Sequence, residues 1–539
     1  MIRVATPNPT EPAQVRLPVP KTTLSQTLET VTDRLCSALA RHKYFLLTFF
    51  SVLYFGTTSY RASRKLFWFD ELFTIYLSRL PDARSVWNAL AHGVDFNPPL
   101  LYGLTHYSEA FFGKGELAAR VPEILSFWVF CLCLFCFISR RTSALGGFIS
   151  MLFPLITTAY WYAYEARAHS LVLGFCGLAL ICWQAAAAQS VRRALWILGL
   201  GGSVACATLS HSYGVLLLAP LMGGEMARSL RARRLDWPVL LSIATGAAPL
   251  LVSWPLLRGL KSIYGTQSNL IAAFPATLGR LIGSYASHLT PAVTVLSVAL
   301  VLLCLCWTAI PHPRLPSEHT HRFAEYEIVA LLGFLAVPVF GYLLSKATGA
   351  PFLYRYSISC VGGLAGLLGI AAAKRPLVGI VVLCAIIVQI GADFAVFQKG
   401  SYLLEPTVSV PISTRRSDFN RRYAWISDVP DRTLPVVLLD DLDFLPTLYY
   451  KPPDLATRLM YVIWPHSDEN GQGYIRLSRE SPSAGNFSQL SEFLKSHRSF
   501  LAYGTRRNAG RLNELIRDGA GVKVEQMGAE DFLMRVEYK

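Results

Sequence analysis

Long apolar runs recur along the chain between residues 44 and 397, and they constrain its fold more than any other feature. Eleven runs come close to the roughly 20 residues that cross a bilayer as a helix. They lie near 44–60, 121–139, 144–161, 169–190, 195–210, 213–228, 237–256, 290–310, 326–345, 356–373 and 376–397. The composition agrees, because 53% of the residues are hydrophobic and only 16% are charged, which excludes a nucleic-acid-binding module. The sequence therefore predicts a polytopic α-helical membrane protein with about eleven transmembrane helices.

Basic residues in the short connections predict which helix ends face the cytoplasm. They follow every even-numbered run, at Arg140, Arg141, Arg192, Arg193, Arg228, Arg231, Arg233, Arg234, Arg314, Arg322, Lys374 and Arg375. Because cytoplasmic connections are enriched in Arg and Lys, we expect these connections and the N-terminus to lie inside. Arg61, Arg64 and Lys65 follow the first run on the other side, but the five remaining connections outweigh them.

This topology divides the chain into three parts. Residues 1–43 form a cytoplasmic tail whose second half has helical spacing of Leu and Val; a helix on the membrane face and a solvated helix both fit it. Residues 44–397 form the transmembrane domain, with a long first outer loop at 61–120. In residues 398–539, strand-like runs such as LPVVLL alternate with helix-like runs such as SQLSEFLKSH, which predicts a small α/β domain on the outer side.

Polar and ionisable residues collect in the outer connections, although such groups are costly at membrane depth unless they line a site. They are Asp70, Glu71 and Asn97 in the first loop, Glu165 and Arg167 in the second connection, His211 and Tyr213 in the third, and Arg355 and Tyr356 in the fifth. Each alone has a simpler explanation, such as acids that complement a helix dipole or aromatic residues that anchor a helix end. Because four connections bring carboxylates and cations to one face, we predict a polar site at the outer interface.

Several of these segments resemble, in order, the motifs of GT-C glycosyltransferases. WFDE at 68–71 resembles the acidic motif of that superfamily, which includes protein O-mannosyltransferases, aminoarabinose lipid A transferases and the bacterial RgtA/B/C/D-like group. NPPL at 97–100 looks like the His-Pro-Pro-Leu segment of the last group, with Asn97 in place of His. LAARVP at 117–122 is similar to its Arg-Leu-Pro-Ser helix start, with Glu123 where Ser is usual.

The later outer connections extend the resemblance to about residue 370. YEARA at 164–168 resembles a Gln-Glu-Ala-Arg-Pro-Tyr turn, from which Ala168 and His169 depart. HSYG at 211–214 is similar to a His-Tyr-Tyr-Gly turn, and RY at 355–356 resembles the Arg-Tyr found late in the membrane domain. The order and spacing of these segments carry the resemblance more than any single motif.

The resemblance implies a GT-C membrane fold and a sugar transfer at the outer face of a bacterial plasma membrane. The donor would be a polyprenyl-phosphate sugar, and the acceptor a hydroxyl group of a lipid, a glycan or a protein. Asp70 would act as general base in an inverting displacement, while Glu71 and Glu165 would orient it or bind the acceptor. If the enzyme uses a divalent metal ion, Asp70 and Glu165 are the expected ligands. Residues expected to bind donor phosphate or substrate are Arg167, His211, Tyr213, Arg355, Tyr356, Asn97 and Lys261.

Two other interpretations stay open at this point. A transporter or flippase for lipid-linked sugars would need ionisable residues along a path through the bilayer, and charges in the middle of the apolar runs are rare. A non-catalytic envelope scaffold would use the outer polar residues only to anchor loops. The proposed enzyme differs from both in requiring that the acids and the later arginines meet in one pocket.

Overall fold

The transmembrane part is built from helices that begin near the predicted apolar runs. The computed structural model describes residues 23–188, 191–258, 274–309, 324–398, 416–451, 453–464, 469–485, 487–529 and 531–539. The helices before the second outer connection are α1 (Thr23–Arg41), α2 (Lys43–Arg64), α3 (Phe69–Ser78), α4 (Ala83–Ala91), α5 (Leu100–Phe112), α6 (Glu116–Ser139) and α7 (Ala144–Leu152). Those that follow it are α8 (His169–Ala187), α9 (Arg193–Ser210), α10 (Leu218–Ala232), α11 (Trp237–Thr245), α12 (Pro249–Val252), α13 (Leu278–Leu289), α14 (Val293–Ala309), α15 (Glu325–Leu335), α16 (Val337–Thr348), α17 (Cys360–Lys374) and α18 (Pro376–Gln398).

Four of the described helices, α6, α8, α9 and α18, are long and apolar enough to cross a membrane. Three bent pairs raise the number to seven if each counts as one span, with bends of 75°, 87° and 53°. Two of the bends have a proline at or beside them, Pro291 and Pro338, which removes a helical hydrogen bond and permits the kink, whereas Pro154 lies three residues before the break of the first pair. Several apolar helices thus indicate a multi-pass membrane protein, while the count of eleven and the assignment of sides stay predictions.

The C-terminal part is a small α/β domain, as the alternating runs predicted. Its strands are β1 (Val436–Leu438), β2 (Leu459–Ile463), β3 (Phe487–Gln489), β4 (Ser499–Thr505), β5 (Gly521–Met527) and β6 (Asp531–Glu537). They form one sheet in the order β3-β2-β1-β4-β6-β5; β1 to β4 are parallel, and β6 is antiparallel to β4 and β5. All three residues of β1 are buried, which is typical of a parallel strand with both faces covered.

The helices of this domain are α19 (Arg416–Asp428), α20 (Asp441–Tyr450), α21 (Pro453–Ala456), α22 (Glu469–Glu480), α23 (Leu490–Ser496) and α24 (Ala509–Arg517). The domain packs directly on the first outer loop. Phe73 and Leu77 of α3 belong to the same buried apolar cluster as Leu438 and Phe444. The backbone N–H of Phe67 donates to the Tyr450 hydroxyl at 2.8 Å, which places α20 against the segment before α3. The domain and the loop therefore share one core.

Candidate active site

Helix α3 carries the two adjacent acids and directs them to different surroundings. Both lie in its first turn, where negative charge complements the helix dipole. The Glu71 carboxylate also accepts a hydrogen bond from the backbone N–H of Trp68 at 3.3 Å, which caps the helix start. Because successive residues point about 100° apart around a helix, Glu71 is fully buried while the Asp70 side chain is 24% exposed.

Glu71 is the centre of a fully buried ion pair. Its two carboxylate oxygens accept hydrogen bonds from Arg120 of α6, both at 2.7 Å, and Oε1 also accepts from the backbone N–H of Ala166 at 2.7 Å. Burial raises the pKa of the Glu71 carboxyl, but Arg120 and Lys65 lower it more, so it lies below its ordinary value. The pair therefore ties α3, α6 and the connection that carries Glu165 into one rigid unit.

Lys65 joins Glu71 to the third predicted acid, Glu165. The Lys65 ammonium lies 3.8 Å from Oε2 of Glu71 and 3.8 Å from Oε2 of Glu165, and both Lys65 and Glu165 are inaccessible to solvent. Burial raises the pKa of Glu165 above its ordinary value, although Lys65 opposes this. Sequence analysis placed Lys65 among the basic residues that follow the first helix and gave it no role in the site.

Glu123 adds a further acid to this buried group. It is 0% exposed and interacts electrostatically with Glu71 and Glu165. In the part of the chain that the structure describes, neither of its carboxylate oxygens has a hydrogen-bond partner. The residue that departs from the family motif at this position therefore lies directly behind the acids of the site.

Asp70 meets Arg355, as the proposal of a single outer pocket requires. Oδ2 of Asp70 lies 3.5 Å from Nη1 of Arg355, and the side chains are 24% and 28% exposed. Arg355 belongs to a short 3₁₀ turn, Tyr354–Ser357, just before α17. The two side chains therefore come from connections far apart in the sequence, lie next to each other and are both partly exposed to solvent.

Arg167 forms hydrogen bonds with other residues of the site. Its guanidinium donates to Oδ2 of Asp95 at 2.7 Å and to the backbone carbonyl oxygen of Asp70 at 3.1 Å. Burial raises the pKa of Asp95, but Arg167 lowers it more, so it lies below its ordinary value. The predicted anion-binding Arg167 thus fixes the backbone that carries Asp70, with Asp95 as a partner that sequence analysis did not select.

Aromatic and imidazole rings form one wall beside the arginines. The ring of Tyr356 stacks on Tyr213 with centroids 4.5 Å apart and lies 4.9 Å from His211. His169 packs next to His211 at 5.5 Å, although it was counted only as a departure from the motif. Burial lowers the pKa of His211 to about 3, and the two nearby arginines add to the shift, so this imidazole is neutral at neutral pH.

The remaining predictions concern Asn97, Lys261 and a metal ion. Asn97 is buried near Tyr102, which also interacts with Asp95. Lys261 lies outside the described residues. Among the residues that the structure describes, no group of three or more His, Cys, Asp or Glu side chains could hold a metal ion. The two expected metal ligands, Asp70 and Glu165, have Arg355 and Lys65 beside them, so cationic side chains already supply positive charge there.

Comparison with known proteins gives a match at the level of three-dimensional structure. No family model and no curated protein matches the sequence. The structure of ArnT from Cupriavidus metallidurans in the apo state aligns with a TM-score of 0.53 and 15% identity, over 92% of this chain and 98% of that chain. ArnT bound to undecaprenyl phosphate aligns with a TM-score of 0.51 and 14% identity, over the same shares of the two chains. ArnT is an aminoarabinose lipid A transferase, a GT-C enzyme. The present chain has the fold of these ArnT structures.

The ArnT-like fold confirms the helical architecture with a small C-terminal sheet domain that sequence analysis predicted, and the contacts show which residues of this chain meet at the candidate site. The residues that motif comparison left out of the site are Lys65, Asp95, Arg120, Glu123 and His169. Two signals were present for them: Arg120 and Glu123 lie in the LAARVPE segment, and His169 follows the YEARA turn. Lys65 and Asp95 had no such signal, because a basic residue after a helix and an acid in a loop are common.

Proposed function

We propose that this protein is a membrane glycosyltransferase that moves a sugar from a polyprenyl-phosphate donor to an acceptor hydroxyl, with Asp70 as general base. The observation that carries the proposal is the pair of Asp70 and Arg355, 3.5 Å apart and both partly exposed. Behind this pair lies a layer of fully buried charges, Lys65, Glu71 and Arg120. The GT-C fold, and the undecaprenyl phosphate bound to one ArnT structure, support a polyprenyl-phosphate donor.

The accessible carboxylate fits the proton transfer that the reaction needs. The acceptor oxygen attacks the anomeric carbon, its proton passes to Asp70, and the bond from that carbon to the phosphate oxygen breaks. One direct displacement inverts the anomeric centre and needs no covalent enzyme intermediate. A general base must lie within reach of the proton it removes, and Asp70 is the acid of the first loop with an exposed carboxylate next to a cation. Glu71 is saturated by Arg120 and Ala166, so we assign it to positioning α3.

Arg355 fits the stabilisation of the leaving phosphate. Negative charge grows on the polyprenyl phosphate as the glycosidic bond breaks, and a fixed cation beside it lowers the barrier. Arg355 is 28% exposed and has Asp70 at 3.5 Å, whereas Arg167 is bound closely by Asp95 at 2.7 Å. We therefore assign phosphate binding to Arg355, with His211 and Tyr356 as the adjoining wall, and backbone positioning to Arg167. The reaction would take place at the extracytoplasmic end of the helices.

A cell-based comparison of two carboxylate variants tests the assignment of Asp70. Asp70→Asn keeps the shape of the side chain but removes the base, and we expect at least about a hundredfold loss of glycosylated product. Asp82→Asn is the matched control, because Asp82 is an exposed N-cap of α4 and Asn caps a helix equally well. Mass spectrometry of envelope glycolipids and glycoproteins, with and without each variant at equal expression, measures the product.

The possible outcomes separate the enzyme from its alternatives. Full product with Asp70→Asn would remove Asp70 as the base. An envelope whose glycans are the same with and without the wild-type protein would favour the scaffold interpretation. Movement of labelled polyprenyl-phosphate sugar across proteoliposomes, without any glycosylated acceptor, would favour a transporter.

A further inference from the structure

Helix α1 lies at the end of the molecule opposite the candidate site. The 22 residues of α2 rise about 33 Å from α1 to the segment before Asp70. Arg120, which belongs to the site, lies near the start of α6. Helix α6 therefore runs away from the site, and α7, which follows it, begins at the far end. Helix α18 likewise begins at the far end, because its Asp393 pairs with Arg61 near the end of α2, at 2.6 Å. Helix α1 contacts both α7 and α18, so it packs against this far end.

One side of α1 is bound to the helix bundle. Thr32 is 7% exposed, and Cys36 and Leu39 pack against the buried apolar cluster that includes Leu145 of α7 and Val378 of α18. At about 100° per residue, these three positions share one side of the helix. The position of α1 is therefore fixed by packing and not by its connection to α2 alone.

A second side of α1 is apolar and exposed. Leu28, Val31 and Leu35 follow the i, i+3, i+7 spacing of one helical stripe and are 43–48% exposed. Aromatic residues at the start of α2 are exposed as well, Tyr44 at 73% and Phe45 at 69%. An exposed apolar stripe of this kind faces lipid or another protein rather than water.

The charges of α1 are divided between its two remaining sides. Arg34 and Arg41 border the exposed apolar stripe, about 100° from its centre, and both are solvent-exposed. Glu29 and Asp33 lie between the arginines and the bundle-facing side, away from the stripe, and Asp33 lines the same pocket as Arg34 and Arg41. Basic residues beside an apolar stripe are typical of helices that lie in the headgroup region, where long side chains reach up to lipid phosphates.

We propose that α1 lies in the headgroup region of the membrane at this end of the molecule and binds anionic phospholipid through Arg34 and Arg41. The apolar stripe enters the boundary with the acyl chains, and the two guanidinium groups meet phosphate. The charge pattern favours this occupant over a soluble protein, because both arginines border the exposed apolar stripe while both acids of α1 lie away from it. The inference does not depend on the proposed sugar transfer.

Hydrogen exchange of the full-length protein in nanodiscs tests the proposal. Backbone exchange over residues 27–40 is measured by mass spectrometry in phosphatidylcholine alone and in phosphatidylcholine mixed with phosphatidylglycerol. We expect slower exchange of wild-type α1 in the anionic lipid. Each arginine near an anionic surface contributes roughly fivefold, so Arg34→Gln/Arg41→Gln should lose on the order of 25-fold of that protection.

A matched double variant controls for net charge and folding. Glu29→Gln/Asp33→Asn changes the charge by the same two units with the opposite sign, on the part of α1 away from the apolar stripe, and should keep the lipid-dependent protection. Equal exchange of the wild type in both lipids would overturn the proposal and leave this surface to a soluble partner. Unchanged protection in the double arginine variant would overturn it as well. Exchange of α6, followed in the same experiment, shows whether each variant is folded.

Discussion

Replacement of Arg120 by Met tests the claim that a buried ion pair holds the candidate site together. Arg120 is 0% exposed and makes five hydrogen bonds, two to Glu71 and three to the backbone carbonyl oxygens of Ala62, Lys65 and Leu66. Met fills a similar length but donates no hydrogen bond and carries no charge. Arg120→Met therefore leaves a buried carboxylate whose nearest cation is 3.8 Å away.

The expected loss of stability is large for a single substitution. Removal of one partner from a buried ion pair costs about 3–5 kcal/mol, chiefly because the other charge remains buried without its partner. That range corresponds to a change of about 150-fold to 5,000-fold in the equilibrium between folded and unfolded protein. Titration with SDS in mixed micelles, followed by far-UV circular dichroism, measures the free energy of unfolding of this membrane protein.

A double variant separates the cost of an unpaired charge from the cost of lost packing. In Glu71→Gln/Arg120→Met neither partner is charged, and the Gln oxygen still accepts from the backbone N–H of Ala166. We expect it to lose less than half the stability that Arg120→Met loses. Glycosyl transfer should stay low in both variants, because α3 is no longer fixed. If the double variant is as unstable as the single one, the reasoning about the isolated Glu71 charge is refuted.

Two further predictions concern the accessible cation and the second ion pair. Arg355→Gln should weaken donor binding, so that a higher concentration of polyprenyl-phosphate sugar restores the rate. Arg84→Gln, on the exposed side of α4, should behave as wild type. If excess acceptor restores the rate instead, the assignment of phosphate binding to Arg355 is contradicted. Because the pKa of Asp95 is below its ordinary value of about 3.9, its pairing stabilises the fold above that pH and is lost as pH falls through the lower folded value. The difference in melting temperature between wild type and Asp95→Asn should therefore be constant near neutral pH and shrink in acid; a difference that persists to the lowest pH would refute this.

The sequence predicted that Asp70 and Arg355 would lie near each other, because the basic residues of the connections put both loops on one side in the predicted topology, and the two side chains are 3.5 Å apart. The residue pattern alone could not separate Asp70 from its neighbour Glu71, whose different roles came only from the family resemblance, since adjacent acids look alike until the rotation of α3 buries one of them. It also could not identify the burial of Lys65. A lysine after an apolar run usually faces water, and only the acids brought to it by distant segments make its burial tolerable.

The C-terminal domain shows the same division between local and distant information. The alternating runs after residue 398 predicted its α/β class, which depends on local patterns of apolar residues. The strand order depends instead on how the connections between strands cross the sheet. Short strands such as β1 and β3 have only three residues each to specify a neighbouring strand. Its shared core with α3 involves Leu438 and Phe444, whose apolar character alone does not distinguish an internal contact from one with another part of the chain.

That shared core has a consequence for the order in which the protein is made. Phe73 and Leu77 leave the ribosome early, but the residues that cover them, Leu438 and Phe444, come near the end of synthesis. A nascent chain that has inserted all its apolar helices still has one face of α3 uncovered. The helix that carries Asp70 is therefore covered last, so a truncated product would occupy the membrane with the candidate site unfinished.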